Sequence, residues 1–397
     1  MDKHILNSIK NVLGNVSYEK GISLHEPYFK DTRALDYVKD CIDTTWVSSN
    51  GSWVTKFEKE LCHFTGAKYA IAVSNGTVAL RLALYLVGVQ PDDEVIIPPI
   101  SFVATANAVK HIGAVPHFVD IERNSLGMCP IALKKHLEDI TEKKSGLIFN
   151  KNTGRKIAAI LPVHVFGLPA DLISIKEIAD EWGLPIIEDA AEALGSKWIS
   201  LRENIHCGLI GQIGCLSFNG NKIITTGGGG ALITNNKDLA VRARHLSNTA
   251  KVHHKWEFFH DEVGWNDRMP NINAALGCAQ LEILKDRLMQ KCNLYNLYQE
   301  EFKNYDDVEL LKSPKNTISN NWLIGIRLMH NDLKECEKIC ERILINAHSE
   351  GLLLRPLWKR LDSLPMYKKS PSGSLIVAKN EEKRIINLPS SPQLIFE

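Results

Sequence analysis

One lysine lies in a segment that suggests chemistry rather than simple solvation. Lys222 belongs to the run SFNGNKIITTGGGG, residues 217–230, between two apolar stretches and beside glycines that let a backbone approach a ligand. A primary amine on a flexible stem can form a Schiff base with a carbonyl group. The chain contains many lysines, so this one needs suitable partners before it indicates catalysis.

A candidate partner ends an apolar run in the segment IIEDAAE, residues 186–192. A buried parallel strand ends in this way where it reaches the ligand-binding edge of a doubly wound sheet, so Asp189 would face a ligand. Pyridoxal phosphate requires a lysine for its aldehyde and a carboxylate that keeps its pyridine nitrogen protonated. Lys222 and Asp189 supply these two residue types.

A phosphate site is predicted where a strand-like run, 68–74, leads through Asn75, Gly76 and Thr77 into a helical stretch, 78–87. Free N–H groups at a helix start attract anions, Gly76 permits close approach, and Thr77 adds a hydroxyl. A plain helix N-cap explains the same motif. The sequence has no GxxxxGK[ST] motif, and the glycines of 208–214 lack the context of a dinucleotide fingerprint, so neither ATP nor NAD is indicated.

Six segments together resemble successive motifs of the DegT-type sugar aminotransferases, and the match spans most of the chain. They are SNGT, SFVATANAV, PVHVFGLPADL, IIEDAAEALGS, SFNGNKIITTGGGG and RMPNINAALGCAQLE. Within that family, the chain resembles nucleotide-sugar 4-aminotransferases of legionaminic-acid-type pathways. The segments that carry this narrower resemblance are Leu24-His25-Glu26-Pro27, Trp46-Val47-Ser48-Ser49 and Leu388-Pro389-Ser390-Ser391.

The resemblance implies a fold-type I, aspartate aminotransferase-like α/β architecture. Residues 1–270 would form an N-terminal segment and a three-layer large domain with a mainly parallel sheet, and residues 271–397 a long linking helix and a smaller C-terminal α/β domain. The sequence supports this with strand-like runs that alternate with helical patterns, of which 171–183 and 237–247 are examples. The strand-like runs are 68–74, 94–97, 115–121, 157–163, 184–189 and 215–219.

The resemblance also assigns roles around the cofactor. Lys222 would form the Schiff base, Asp189 would pair with the pyridinium nitrogen, and Phe102 would stack on the ring. The phosphate would be held by Gly76, Thr77 and Ser217, with Asn266 reaching it from the neighbouring subunit of a homodimer. The segment Trp265-Asn266-Asp267-Arg268 departs from the Tyr-Asn-Tyr-Arg pattern common in the family.

Further residues are candidates for contact with the substrate. Glu192 stands where many relatives carry His or Gln, so we expect it in the pocket on either the cofactor or the substrate side. His164, at the end of a strand-like run, is a candidate contact, although a histidine bonded to the backbone is the commoner arrangement. His25, Ser48 and Asn50, with the adjacent Ser49, are further candidates, although an ordinary polar loop explains them equally well.

The implied reaction transfers an amino group from L-glutamate to a nucleotide-linked 4-keto-6-deoxyhexose. The expected acceptor is UDP-2-acetamido-2,6-dideoxy-4-ketohexose. Pyridoxamine phosphate would form in the first half-reaction and be consumed in the second. The product would serve surface glycan or nonulosonic acid biosynthesis. A dTDP- or GDP-linked sugar is the first alternative. A sugar dehydratase is another, but the relatives of that type carry His in place of the Schiff-base lysine. A non-enzymatic regulatory protein with a retained site is the last.

Composition is compatible with a protein that acts on small molecules. The chain has 397 residues and a formal net charge of +1, so no bulk attraction to nucleic acid or anionic membrane is expected. Nine cysteines without a CxxC pair suggest a reducing compartment, and the N-terminus lacks a secretory apolar core, so we expect a cytoplasmic protein. His253, His254 and His260 lack the spacing of metal ligands, and no metal is predicted.

Overall fold

The computed structural model describes residues 2–14, 16–200 and 203–396. Within these ranges the helices are α1 Asp2–Leu13, α2 Ala34–Asp43, α3 Ser52–Thr65, α4 Gly76–Leu86, α5 Ala104–His111, α6 Pro130–Ile140, α7 Leu172–Trp182, α8 Lys237–Ser247, α9 Asn271–Phe302, α10 Leu333–Ser349, α11 Ile376–Glu381 and α12 Gln393–Phe396. None of them is long and apolar enough to cross a membrane.

The strands in the same ranges alternate with these helices over the first two thirds of the chain. They are β1 Tyr69–Val73, β2 Glu94–Ile97, β3 Val115–Phe118, β4 Thr141–Lys144, β5 Leu147–Asn150, β6 Ile157–Ile160, β7 Ile187–Asp189, β8 Lys197–Ile199, β9 Asn204–His206, β10 Ile213–Ser217, β11 Gly230–Thr234, β12 Lys251–Val252, β13 Phe259–His260, β14 Val308–Leu310, β15 Thr317–Ile318, β16 Ile324–Leu328, β17 Arg355–Pro356 and β18 Ile385–Leu388. Every strand-like run predicted from the sequence overlaps one of these strands, although β10 begins at Ile213, before the predicted run 215–219.

A central sheet has the strand order β3-β2-β6-β7-β10-β11-β1. Ladders join β3, β2 and β6 on one side and β7, β10, β11 and β1 on the other. Parallel bridges from Ile160 to Ile186 and from Val163 to Asp189 connect the two halves. Only β11 runs against its neighbours, which confirms the predicted mostly parallel α/β sheet.

The sheet is covered on both faces, as the pleat of β2 shows. Val95 and Ile97 point into the apolar cluster that contains residues of α3, α4, α5 and α8. Ile96 between them points into a second cluster, formed with residues of α6 and α7. Alternate residues of a strand face opposite sides, so the sheet lies between two helical layers. The predicted three-layer architecture is therefore present.

A further apolar core lies beside the antiparallel sheet β14-β16-β18-β17 and includes α10. The first half of α9 packs in the core of the large sheet through Ala274 and Leu284, whereas its second half packs in the smaller core through Tyr298 and Phe302. This helix spans 32 residues, or about 48 Å at 1.5 Å per residue. It is the long linking helix that the family resemblance implies at the start of residues 271–397.

The N-terminal helix packs with the C-terminal part of the chain. Ile5, Leu6, Ile9 and Leu13 of α1 are buried in the smaller core, together with residues of α9 and α10. The division at residue 270 stays a prediction. The buried apolar residues of α1 pack in the smaller core.

Candidate active site

A cavity of about 840 Å³ lies between the carboxyl edge of the central sheet and the smaller core. Parallel strands end at this edge, and the loops after β1, β2, β7 and β10 supply one wall. The other wall comes from the C-terminal part of the chain and includes Trp322, Arg355 and Asn387. The predicted site residues that line the cavity are His25, Gly76, Thr77, Phe102, Asp189, Glu192, Ser217 and Lys222.

Lys222 lies in the loop that connects β10 to β11. The backbone N–H of Lys222 donates to the carbonyl of Asn219 at 3.1 Å, and Thr226 and Gly229 bond with Phe218 across the base of the loop. Glycines 227–229 lie between the two strands, and Gly230 begins β11. The loop is thereby closed on itself and presents the lysine at the end of β10.

The carbonyl group next to the lysine is held from two directions. Trp322 Nε1 donates to the carbonyl oxygen of Asn221 at 2.7 Å, and His25 Nδ1 donates to the same oxygen at 3.1 Å. A carbonyl oxygen has two lone pairs, so both bonds can form together. Burial keeps the pKa of His25 well below its ordinary value, which suits a neutral ring that donates through one nitrogen. Distant segments thus fix the backbone beside Lys222.

The amine of Lys222 contacts an acid and an aromatic ring. Its Nζ lies 3.3 Å from Glu192 Oε1 and 4.0 Å from the centroid of the Trp322 ring. The other oxygen of Glu192 accepts a hydrogen bond from the backbone N–H of Phe166 at 2.8 Å. Burial raises the pKa of the Glu192 carboxyl, and the nearby Lys222 charge opposes that rise. Glu192 therefore lies on the side of the pocket that the lysine amine faces.

Asp189 ends β7 at the sheet edge. Its carboxylate accepts hydrogen bonds from Thr105 Oγ1 at 2.7 Å and from the backbone N–H of Ala191 at 3.2 Å. Burial raises the pKa of this carboxyl, although the Thr105 bond works in the other direction. A buried carboxyl in this state is stabilised as an anion when a cation lies beside it.

The start of α4 lies against the end of β10. Asn75 caps the helix by accepting from the N–H of Val78 at 2.9 Å, so the earlier N–H groups of Gly76 and Thr77 have no partner within the helix. A Cβ atom built on Gly76 would lie 2.9 Å from Ser217 Cβ. The absence of a side chain at Gly76 therefore brings the helix start, Thr77 and Ser217 together at one corner of the cavity.

Phe102 precedes α5 and lines the cavity with 55% of its surface exposed. An aromatic ring so exposed at a cavity wall is available to pack against a flat ligand. Trp322, Arg355 and Asn387 were not among the predicted site residues. They come from segments of the smaller unit whose local sequence carries no recognisable motif, and only the tertiary fold places them opposite Lys222.

Comparisons with known proteins agree with this geometry. Residues 29–397 match the DegT/DnrJ/EryC1/StrS aminotransferase family. GDP-perosamine synthase of Escherichia coli O157:H7 is 36% identical over 380 residues, which cover 95% of each chain. EpsN of Bacillus subtilis (strain 168), described as a pyridoxal phosphate-dependent aminotransferase, is 34% identical over 384 residues, which cover 94% of this chain and 92% of EpsN.

A solved structure gives the same picture. Helicobacter pylori PseC, an aminotransferase involved in the biosynthesis of pseudoaminic acid, superposes with a TM-score of 0.81 at 26% identity, covering 93% of this chain and 94% of PseC. The chain belongs to the DegT/DnrJ/EryC1/StrS aminotransferase family. The predicted family, fold type and aminotransferase activity are confirmed, and so is the predicted cofactor, pyridoxal phosphate.

The cavity of this aminotransferase fits that cofactor on its own geometry. The buried Asp189 carboxylate has room for a cationic ring N–H, the corner at Gly76 offers unpaired helix N–H groups to a phosphate, and Lys222 supplies the amine. When bound, pyridoxal phosphate acts as an electron sink for the carbon that carries the amino group. The individual roles of Gly76, Thr77, Phe102, Asp189, Ser217 and Lys222 remain proposals that this arrangement supports.

One candidate substrate contact of the aminotransferase is wrong. His164 is fully buried and does not line the cavity, because its Nε2 lies 3.0 Å from Glu188 Oε2 and its Nδ1 accepts from the N–H of Ala170 at 3.1 Å. Glu188 also accepts from the backbone N–H groups of Gly208, Ile210 and Gly211. The glycine-rich segment 208–214 therefore folds around a carboxylate, and the pair of His164 and Glu188 is structural.

Ser48, Ser49 and Asn50 lie at the start of α9, where the N–H of Asn271 donates to the carbonyl of Ser48 at 3.0 Å. They do not line the cavity, so the predicted contacts of Ser48 and Asn50 with substrate cannot arise within one chain's own cavity. Asn266 is exposed and also lies outside the cavity. Its proposed role in a neighbouring subunit stays a prediction.

Among the described residues, one cluster has ligand atoms close enough for a metal ion. Atoms of His245, Asp261 and Glu262 lie within 4.8 Å of one another. Arg242 donates to both oxygens of Glu262, so a guanidinium already meets that charge. The cluster lies between α8 and the segment after β13, and none of its three residues lines the cavity.

Proposed function

We propose that this aminotransferase carries an amino group from L-glutamate to the 4-keto carbon of a nucleotide-linked 6-deoxyhexose, with UDP-2-acetamido-2,6-dideoxy-4-ketohexose as the expected acceptor. The observation that supports this most strongly is the convergence of Lys222, Asp189 and the helix start at Gly76 on one cavity of about 840 Å³. Pockets that bind small molecules or cofactors commonly have volumes of roughly 300–1,000 Å³.

Each of the side chains around the cavity has a separate role in this proposal. Asp189 would hold the ring nitrogen of bound pyridoxal phosphate, and the start of α4 would hold its phosphate. Lys222, as a neutral amine, would accept a proton from the substrate carbon and would return one in the second half of the reaction. Glu192, 3.3 Å from Nζ, keeps the released amine near the reacting atoms.

A GDP-linked acceptor is the second candidate. The supporting observation is the 36% identity, over nearly the whole chain, to a protein named GDP-perosamine synthase. A dTDP-linked acceptor remains a third. We further propose a cytoplasmic homodimer in which Asn266 of each chain completes the other's phosphate site, since Asn266 is exposed and lies outside its own cavity.

The test is mass spectrometry of the products formed from purified protein, pyridoxal phosphate and L-glutamate with UDP-, GDP- and dTDP-linked 4-keto-6-deoxyhexoses in parallel. We expect conversion of ketone to amine with the UDP sugar and none with Lys222→Ala. Preferential conversion of the GDP sugar would replace the proposed acceptor by the second candidate. Conversion of none of the three would refute this acceptor class, and the absorbance response to L-glutamate would then show whether the donor half-reaction survives.

A further inference from the structure

Arg81 contacts both neighbours of Asn266 in the segment 265–267. It projects from α4, the helix that begins at the corner of the cavity, but it does not line the cavity itself. Its guanidinium donates to the carboxylate of Asp267, and its Cζ lies 4.8 Å from the centroid of the Trp265 ring. One arginine therefore holds the side chain before Asn266 and the side chain after it.

Hydrogen bonds also fix the backbone of this segment. The N–H of Trp265 donates to the carbonyl of Leu246 at 2.7 Å, and the N–H of Asp267 donates to the carbonyl of Ser247 at 2.9 Å. The carbonyl of Asp267 accepts from the N–H of Ser74 at 2.8 Å. The segment is thereby held to the end of α8 and to the residue that follows β1.

The side chain of Asn266 faces away from these anchors. An antiparallel bridge between Asn248 and Asn266 shows that the chain is extended here. Successive side chains of an extended chain point to opposite sides, so Asn266 lies opposite the side that contacts Arg81. It is exposed, whereas both of its neighbours are partly buried. An exposed amide on a fixed backbone loses little conformational entropy when it binds, as a binding residue requires.

The ion pair between Arg81 and Asp267 also balances a charge next to Asn266. The two side chains are 19% and 13% exposed, so water screens this pair less than it screens a surface pair. Without the guanidinium, the Asp267 carboxylate would repel an anion that approaches Asn266. The pattern common in the family has tyrosine at this position, which would need no cation beside it, so the pair answers a feature of this chain's own sequence.

We propose that Arg81 is a positioning residue for the cofactor phosphate of the neighbouring subunit, because it holds Asn266 in the direction of that subunit through Trp265 and Asp267. This inference rests on the proposed homodimer and on the proposed role of Asn266 in it. An ion pair that only stabilised its own chain would affect the site of the subunit that carries Arg81. The two roles therefore differ in which of the two sites responds.

Mixed dimers separate the two sites. Co-expression with two affinity tags gives a dimer in which one subunit, silent because it carries Lys222→Ala, cannot give the absorbance change of covalently bound pyridoxal phosphate. Arg81→Met or Asn266→Ala is then added to the silent subunit. We expect each to weaken pyridoxal phosphate binding at the other, reporting subunit by roughly five- to fiftyfold. Arg342→Met in the silent subunit is the matched control, since it breaks an ion pair with Asp2 on α10, and it should leave the affinity unchanged.

A double-mutant cycle in the silent subunit tests the contact itself. Once Asp267→Asn has removed the charged partner, adding Arg81→Met should change the affinity at the reporting subunit by less than about threefold. A full further loss would mean that Arg81 does not act through Asp267 and would overturn the proposal. Thermal melts of the cofactor-free dimers show whether Arg81→Met folds. If it does not, Arg81→Lys, which keeps the charge but loses the planar contact, takes its place with the same expected direction.

The position of the defect decides between the two roles of Arg81. A loss of affinity that appears only when Arg81→Met lies in the reporting subunit would overturn the proposal and leave a structural ion pair. An effect of Asn266→Ala in the silent subunit without any effect of Arg81→Met there would overturn the proposal alone and would support the role of Asn266. If neither substitution in the silent subunit changes the affinity, or if the protein is a monomer, the proposed role of Asn266 fails and this inference fails with it.

Discussion

The corner formed by Gly76 and Ser217 allows a sharp test of how the cofactor phosphate is held. In Gly76→Ala the new Cβ would lie 2.9 Å from Ser217 Cβ, whereas carbon atoms in contact normally stay about 3.5–4.0 Å apart. Something must therefore move by roughly 0.6–1.1 Å, and overpacking of this kind costs about 1–3 kcal/mol. If the helix start and Ser217 separate to relieve it, affinity for pyridoxal phosphate should fall about 5- to 150-fold.

The assay is titration of cofactor-free protein with pyridoxal phosphate, followed by absorbance, together with a thermal melt in the absence of cofactor. Gly220→Ala is the matched control, since a Cβ at Gly220 meets nothing within 4 Å and its backbone lies outside the left-handed region. We expect Gly220→Ala to bind as wild type does. Equal affinities for the two alanine variants would refute the argument that Gly76 and Ser217 form the phosphate corner.

Three other perturbations address catalysis, pH and packing. Lys222→Arg keeps the charge but cannot give up its proton, so transfer should fall by roughly a hundredfold or more in a product assay while the melting temperature stays near wild type; an active variant would contradict the role of Lys222. Burial lowers the pKa of His206 to about 4, so the folded state favours the neutral ring. The neutral ring therefore contributes to stability above pH 6.5, and this contribution is lost as the pH falls toward 4. In urea unfolding, the free energy of unfolding of the wild type should fall by up to about 3 kcal/mol between pH 6.5 and pH 4. The fall should be smaller in His206→Gln. If the free energy of unfolding depends on pH equally in the two proteins, this account of His206 is wrong. Ile9→Ala should lower the free energy of unfolding by about 2–5 kcal/mol in the same measurement. The control Asn7→Ala, at an exposed position of the same helix, should change it very little. Equal effects of the two substitutions would mean that α1 does not stabilise the smaller core.

The parts of the site that the sequence predicts are those that follow strand ends. Lys222, Asp189 and Gly76 each stand just after an apolar run, and parallel strands bring such positions to one edge, so local pattern was enough to place them in a common cavity. The mostly parallel sheet was predictable for a similar reason, because the alternation of strand-like and helical runs can be seen in short windows. Helix α9 was expected from the family resemblance.

The opposite wall of the cavity depends on contacts between segments that are far apart in the sequence. A pattern in a short stretch of sequence cannot reveal such contacts. Trp322 meets the carbonyl of Asn221 about a hundred residues away, and Arg355 meets Asn387 through a ladder that sequence pattern does not specify. His164 shows that a residue at a strand end can also be wrongly predicted to contact substrate. It stands at a strand end as a ligand-binding residue would, yet Glu188 in the neighbouring strand turns it into a buried structural pair.

The packing of α1 against the C-terminal part has a consequence for recombining this chain with its relatives. A hybrid joined at residue 270 would take α9 and α10 from one parent and α1 from the other. Ile5 and Ile9 would then face Tyr298 and Cys336 of a foreign partner, in a core whose side chains had never been matched. A stable hybrid would therefore need α1 and the C-terminal elements from the same parent, because the two ends of the chain form one core.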